Sequence, residues 1–203
     1  MNDEQIAQFN AKQRQAFDNV YDRFLVELPQ DVCARMERIV AAPDIQAGEN
    51  VLDVGTGTGA LMPDIRKYRP GHIYACDLSG KMLEQVANRY PEVERHQCDI
   101  RDLDLPDACV DVVFMNGMYG NIADKPGALR NIMRMLRPGG RVVISHPEGR
   151  EFVEGLVRSE PFPITALPSP DEAHTFLGSY GLTVTQYTDE EKLLICVATK
   201  QQQ

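Results

Sequence analysis

The residues best placed to do chemistry are a run of glycines and three aspartates. Val51-Leu52-Asp53-Val54-Gly55-Thr56-Gly57-Thr58-Gly59-Ala60 reads as a strand delivering the chain into three alternating glycines, with a helix beyond. Lacking Cβ atoms, such residues turn sharply and let a ligand approach the backbone. The helix start that follows offers unpaired N–H groups. With Ala60 in the last place the run also satisfies the dinucleotide pattern G-x-G-x-x-G/A. Asp77 ends the next strand, where a carboxylate can accept both hydroxyls of a ribose. Gly55, Gly57, Gly59 and Asp77 therefore point to an adenosine-containing cofactor without saying which one.

Three further features separate the cofactors. Asp53 stands two residues before the first glycine, where a dinucleotide would bring its phosphates. A carboxylate beside a pyrophosphate is unfavourable by Coulomb's law, and beside the ammonium of a methionine moiety it is favourable. Asp99, in Cys98-Asp99-Ile100, can accept a hydrogen bond from an adenine amino group. The chain also closes on two strands joined by the polar Thr188-Asp189-Glu190-Glu191-Lys192, a spacing that predicts an antiparallel hairpin, which dinucleotide folds do not usually carry.

The elements that must position these groups follow from periodicity. The first 28 or so residues read as helix, with Ile6, Phe9, Phe17, Val20, Tyr21, Phe24 and Leu25 at helical spacing and Asn2 or Asp3 as cap. A second helix spans Gln30 to Ala41, ended by Pro43. Strands are expected over Asn50–Val54, His72–Cys76, Val93–Cys98, Val110–Met115 and Arg141–Ser145. Helices over Ala60–Tyr68, Lys81–Arg89 and Ala128–Leu136 alternate with them, the last stopped by Pro138-Gly139-Gly140. That alternation specifies a parallel sheet covered on both faces. After Pro147 the reading is an irregular stretch containing Pro161, Pro163, Pro168 and Pro170. A helix over Asp171–Tyr180 and the strands Thr183–Tyr187 and Leu193–Thr199 follow, and Gln201 to Gln203 read as a disordered end.

Bulk composition narrows the partners. The 203 residues suit one well-cored domain, and 43% hydrophobic with 25% charged residues are ordinary globular values. A net charge of −9 repels phosphate backbones and anionic lipid, which argues against nucleic acid and membrane as partners. Arg130, Arg134, Arg137 and Arg141 lie close together but suit the solvated face and C-terminal end of a helix. The five cysteines, Cys33, Cys76, Cys98, Cys109 and Cys196, form no C-x-x-C pair. That argues against a disulfide framework or a metal site, and no metal is expected. No apolar run approaches the ~18–20 residues of a membrane span. The polar, acidic start resembles neither a signal peptide nor a transit peptide, so the expected location is cytoplasmic.

Val51 to Leu61, Ala75-Cys76-Asp77-Leu78-Ser79, Gln97-Cys98-Asp99-Ile100, Asp111 to Asn116 and Leu136 to Arg141 together resemble the class I S-adenosylmethionine-dependent methyltransferases, in that family's order and spacing, over about residues 45 to 200. The resemblance implies a Rossmann-like three-layer α/β/α sandwich around a seven-stranded, mostly parallel sheet with the last strand antiparallel. It implies that Gly55, Thr56, Gly57 and Gly59 line the methionine and ribose and that Asp77 holds the ribose hydroxyls. Leu78 and Met82 would flank the adenine, Asp99 and Ile100 contact its edge, and Asn116 and Gly117 face the sulfonium. Phe17-Asp18-Asn19-Val20-Tyr21-Asp22 is similar, with altered spacing, to the opening of the quinone-biosynthesis-like branch. That similarity makes Tyr21 a candidate lid residue; Phe17 and Tyr21 also suit an i, i+4 core pair. Residues 1–45 would form a helical cap over the active site and residues 46–200 the cofactor-binding methyltransferase domain, with any lid coming mainly from the cap.

Methyl transfer from a sulfonium asks the enzyme to align acceptor and methyl and to keep water away, with a base only where the acceptor carries a proton. Asn116, Tyr119, Asn121, His146, Glu148 and Arg150 are placed at strand ends over the cofactor. His146 and Tyr119 are the catalytic candidates, His146 as a base with an ordinary imidazole pKa. Arg150 is a candidate to grip an acidic acceptor or to pair with Glu148 or Glu151. Asn116-Gly117-Met118-Tyr119 lacks both prolines of the N-P-P-Y box, which argues against nitrogen methylation of that type. The expected acceptor is a small molecule methylated on O, C or S. A cofactor-binding protein without methyl transfer, a sensor or supporting subunit, is the alternative. The sequence leaves monomer and homodimer open.

Overall fold

A computed structural model describes residues 1–160 and 162–202; Pro161 and Gln203, one in the proline-rich stretch and one in the expected disordered end, lie outside the described residues. The strands are β1 (Asn50–Val54), β2 (His72–Asp77), β3 (Glu94–Gln97), β4 (Val110–Asn116), β5 (Leu136–His146), β6 (Leu182–Glu190) and β7 (Leu193–Lys200). They form one sheet in the order β3-β2-β1-β4-β5-β7-β6. β7 runs antiparallel to both of its neighbours, and the other pairs are parallel. The antiparallel strand thus lies inside the sheet, between β5 and β6, as a closing hairpin requires when its second strand is the more apolar.

Burial explains that order. Along β7, Leu193, Ile195 and Val197 face one core while Leu194, Cys196 and Ala198 face the other. A strand apolar on both faces belongs in the middle of a covered sheet. β4 follows the same rule, with Val113 and Met115 on one side and Val112 and Phe114 on the other. Asp111, the acidic residue in that run, accepts hydrogen bonds from the Asn50 backbone and the Arg137 guanidinium. Helices α2 (Gln30–Ala41), α3 (Met62–Ile65) and α4 (Gly80–Arg89) cover the first face, and α5 (Lys125–Met135) and α7 (Pro170–Gly178) the second. The result is the expected three-layer sandwich.

Local departures from the expected elements have local causes. The N-terminal helix α1 spans Asp3–Val20, closed by an Asn2–Gln5 capping box, and Tyr21–Leu25 tighten into a 3₁₀ turn. Thr58 Oγ1 captures the Phe24 carbonyl at 3.0 Å, and Pro29 starts the next helix. Between Ala60 and Tyr68 only Met62–Ile65 is α-helical, with Pro63 in its first turn and a 3₁₀ turn after it. Leu136, expected as the last residue of a helix, and Pro138 to Gly140, expected as its stop, already belong to β5, with a register irregularity opposite β4 at Val110/Val112. The largest difference follows Pro147. Instead of an irregular stretch, Gly149–Ser159 forms a helix, α6. Val153 of α6 joins the second core, and Leu156 packs against Phe9, Phe162 and Ile164 in a third cluster that also holds Phe17 of α1. α1 and the segment around Phe162 therefore meet above the sheet.

Three of the arginines read as a solvated group are paired: Arg134 with Asp107, Arg137 with Asp111, and Arg141 with Glu49 through two short contacts. No helix among the described residues is long and apolar enough to cross a membrane.

Candidate functional site

One cavity of about 830 Å³ opens at the C-terminal ends of β1, β2, β4 and β5 and runs under α1 and α6. Its two ends differ in chemistry.

The first end carries the carboxylates. Asp53 is 2% exposed and accepts a hydrogen bond from Thr56 Oγ1 at 2.7 Å. Among the described residues no Lys, Arg or His pairs with it, and burial pushes its pKa up to about 7, with Asp77 adding a like charge. Asp77 accepts from the backbone N–H of Gly57 at 2.9 Å and of Ser79 at 2.8 Å, while burial raises its pKa. The Gly57 amide thus points its partial positive charge at the carboxylate instead of at a phosphate. Asp99 accepts from Arg101 N–H, from Arg101 Nε and from Asn10 Nδ2 of α1, the last at 2.6 Å. Leu78, Met82 and Ile100 line the cavity beside them, with Cys76 and Cys98 between the aspartates.

The loop explains its glycines. Gly55 has φ +64, and a Cβ there would stand 2.7 Å from Met118 Cγ. Gly59, at φ +84, would meet the Tyr90 ring at 3.0 Å. Gly55 and Thr56 line the cavity; Gly57 and Gly59 do not, because one holds Asp77 and the other packs on Tyr90. Those two shape the loop. Asn116 and Gly117 do line the cavity, with Asn116 Oδ1 accepting from Ser145 Oγ at 2.9 Å and Gly117 N–H donating to the Ser145 carbonyl.

The second end is apolar. Phe17, Phe24, Val32, Met36, Phe152 and Phe162 form its walls. His146 is the titratable group nearest the strand ends there. Its Nδ1 accepts from the Glu148 backbone N–H at 3.1 Å, its ring lies 5.3 Å from that of Phe152, and burial lowers its pKa to about 4. Imidazole in that setting is neutral at physiological pH, unlike the group of ordinary pKa that the sequence suggested.

Four candidates, Tyr119, Tyr21, Glu148 and Arg150, lie outside the cavity lining. Tyr119 is 7% exposed in the second core, on the 3₁₀ turn after β4, with Lys125 Nζ 5.0 Å from its ring centroid and its pKa pushed up to about 12 by burial. It does not line the cavity. Tyr21 sits outside the lining as well, its ring under Lys81 Nζ at 5.3 Å, and Phe17 pairs with Phe24 and Phe162 instead. The tight turn at Tyr21–Leu25 carries Phe24, not Tyr21, to the cavity wall. Arg150 pairs with neither Glu148 nor Glu151. It binds Asp189, the Tyr187 hydroxyl and the carbonyls of Leu167 and Pro168, and Glu148 pairs with Arg35. Asn121 lines the cavity and lends its carbonyl to Gln13 of α1.

The lining from α6 and beyond (Phe152, Leu156, Glu160, Phe162 and Ile164) was not foreseen. The i, i+4 spacing of Phe152 and Leu156 was the available signal, masked by the prolines that follow. No group of three or more His, Cys, Asp or Glu among the described residues is arranged to hold a metal.

Residues 52–144 match the family model for a methyltransferase domain. The chain is 30% identical to a demethylmenaquinone methyltransferase of Streptomyces avermitilis over 174 residues, covering 79% of this chain and 74% of that one. It is 34% identical to a malonyl-[acyl-carrier protein] O-methyltransferase of Halorhodospira halophila over 139 residues, which is 65% of this chain but only 46%, about half, of the relative's length. The crystal structure of a Burkholderia thailandensis 1,6-didemethyltoxoflavin-N1-methyltransferase, with 1,6-didemethyltoxoflavin and S-adenosylhomocysteine bound, superposes with a TM-score of 0.74 at 20% identity, covering 97% of this chain and 90% of that one. At that identity the likeness is one of fold. The chain belongs to the class I S-adenosylmethionine-dependent methyltransferases, and its cofactor is S-adenosylmethionine. The donor set fits that group: a buried carboxylate without a cation, an aspartate at a strand end, and a bend that brings no basic side chain for phosphates.

Proposed function

We propose that this protein transfers the methyl group of S-adenosylmethionine to a small, largely apolar acceptor held in the second half of the cavity. When bound, the cofactor supplies an electrophilic methyl carbon on a sulfonium sulfur, which keeps the electron pair of the S–C bond while the acceptor provides the pair for the new one. The observation that carries the reading is the continuity of one cavity from the three aspartates to the phenylalanine walls. Asp53 takes the ammonium of the methionine moiety, Asp77 the ribose hydroxyls and Asp99 the adenine edge. Gly55, Thr56, Leu78, Met82, Ile100, Asn116 and Gly117 shape the space around them. The aromatic walls exclude water and align the acceptor, which is the main task of an enzyme in this displacement.

The cover is made by residues 1–45 together with α6 and the segment to Ile164, since Phe9 and Phe17 pack against Phe162. The relatives named above act on unlike acceptors, which supports a small molecule without selecting one. Titrating S-adenosylhomocysteine by calorimetry tests the cofactor half, and Asp77→Ala should weaken binding about a hundredfold, as for loss of two charge-assisted hydrogen bonds. Unchanged affinity in that variant would remove the assignment. Incorporation of label from methyl-tritiated S-adenosylmethionine into organic extracts tests the transfer half and separates an enzyme from a sensor.

A further inference from the structure

His146 is 8% exposed, at the end of β5 and on the cavity wall. Its Nδ1 is taken: the Glu148 backbone nitrogen stands 3.1 Å away and can only donate. A neutral imidazole whose Nδ1 accepts must carry its proton on Nε2. Among the described residues Nε2 has no hydrogen-bond partner, and no side-chain nitrogen sealed from the surface lacks one. Nε2–H is therefore not sealed off, on a side chain that lines the cavity. The ring is fixed on one side by Phe152, and Asn116, the nearest strand-end amide in sequence register with this site, is committed through Oδ1 to Ser145. Of the charged residues at this end, Glu148 pairs with Arg35 of α2, and Arg23 and Glu160 line the same cavity. Neither carboxylate makes a hydrogen bond to the ring that would draw a second proton onto it.

We propose that His146 is a hydrogen-bond donor and not a base: Nε2–H holds an oxygen of the acceptor, and so selects ring-bearing apolar acceptors that carry a carbonyl, enolate or phenolate oxygen. This rests on the methyltransferase reading above and names the acceptor class for the same cavity. A donor on a largely aromatic stretch of wall is left unpaired by an acceptor lacking that oxygen, which is the strongest basis a pocket has for rejecting an analogue. His146 takes no proton in transfer; an acceptor entering as an anion spends its charge on the bond to the methyl carbon and leaves neutral.

The test uses the full chain with ¹⁵N-labelled histidine rings, saturated with S-adenosylhomocysteine, and the His146→Gln variant to assign the resonance. Long-range ¹H–¹⁵N spectra should show Nε2 protonated and Nδ1 bare, unchanged from about pH 8 to about pH 5, since the ring titrates at about 4. A ring protonated on Nδ1, or one titrating near 6.5, overturns the proposal. Two probes of matched size, 1-naphthol and 1-methylnaphthalene, then test the acceptor class. Naphthol should bind about tenfold tighter, the worth of one net hydrogen bond. The preference should vanish in His146→Leu and survive in His146→Gln, whose amide donates but cannot act as a base. A preference untouched in His146→Leu, or none in the native protein, overturns it. Failure to bind S-adenosylhomocysteine would instead strike the parent reading, so the two outcomes are distinguishable.

Discussion

Replacing Asp53 by Asn separates what this carboxylate costs from what it contributes. Burial lifts its pKa from 3.8 to about 7. A folded-state pKa above the unfolded value means that the native protein binds more protons between the two. Stability therefore falls as pH rises through that window, and the loss is complete above it. At about 1.4 kcal/mol per pH unit, the shift corresponds to at most roughly 4 kcal/mol above neutrality. Asn has nearly the same shape, stays neutral, and can still accept from Thr56 Oγ1. Its amide hydrogens need partners, which offsets part of the gain. The ligand-free variant should therefore be more stable than the native protein at pH 8 by about half that figure. For a domain of this size about 1 kcal/mol moves Tm by 2–4 °C, so thermal melts should show a rise of several degrees. At about pH 5 the folded Asp53 holds its proton while the unfolded one is still ionised, so about two pH units of the penalty, at most roughly 3 kcal/mol, are relieved. The advantage of Asn should shrink by that amount, and the two proteins should melt within a few degrees of each other. A gain equal at both pH values, or a loss at both, would refute the reasoning.

The same carboxylate should reveal itself in binding. An ammonium beside Asp53 favours its charged form, so cofactor binding below neutrality expels a proton. Calorimetry of S-adenosylhomocysteine at pH 6, in two buffers of different ionisation enthalpy, should report release approaching one proton. Asp53→Asn should bind more weakly and release none.

Gly55→Ala places a methyl against Met118 in a backbone conformation that disfavours side chains. It should lower stability by about 1–3 kcal/mol and weaken S-adenosylhomocysteine binding, read by denaturant unfolding and calorimetry. Arg150→Ala removes a guanidinium that ties the start of α6 to Asp189, Tyr187 and two carbonyls. It should cost about 2–4 kcal/mol of stability while cofactor affinity in the folded protein stays within twofold, because Arg150 does not line the cavity. Phe162→Ala opens the contact between α1 and the segment after α6. Amide exchange in α1 should accelerate, with a stability loss of about 3 kcal/mol.

The sheet was legible because β-branched runs at Asn50–Val54, His72–Asp77 and Val110–Asn116 alternate with helical periods, and each ends where a polar residue takes over. Strand ends fix the direction of whatever follows them, which is why Asp53, Asp77 and Asn116 meet on one cavity along with Asp99, just past β3. Residues beyond a tight turn were not placed, since one 3₁₀ step rotates a side chain to another face. Tyr119 went into the core that way, and Phe24 replaced Tyr21 at the wall. α6 was missed because Pro163, Pro168 and Pro170 dominate the reading of a stretch whose apolar spacing lies just before them.

The cover and the cofactor end are coupled by chemistry, not only by proximity. α1 is held to α6 and the segment after it by apolar contacts at Phe9 and Phe17, but its polar bonds go to the loops that carry the carboxylates or line the cavity. Asn10 donates to Asp99, Ser79 Oγ donates to Asp18, and Gln13 donates to the Asn121 carbonyl. Asp99 shows how both duties are compatible. Its Oδ2 already accepts from Asn10 and Arg101 Nε, whereas Oδ1 accepts only the Arg101 N–H. Each carboxylate oxygen offers about two lone pairs. Oδ1 thus keeps one lone pair free, so in the proposed binding mode an adenine amino group could be taken there without releasing α1. On that binding mode, a cover anchored on Asp99 would be most rigid when the adenine edge is satisfied, so the acceptor chamber would gain its shape from the same hydrogen bonds that hold the methyl donor.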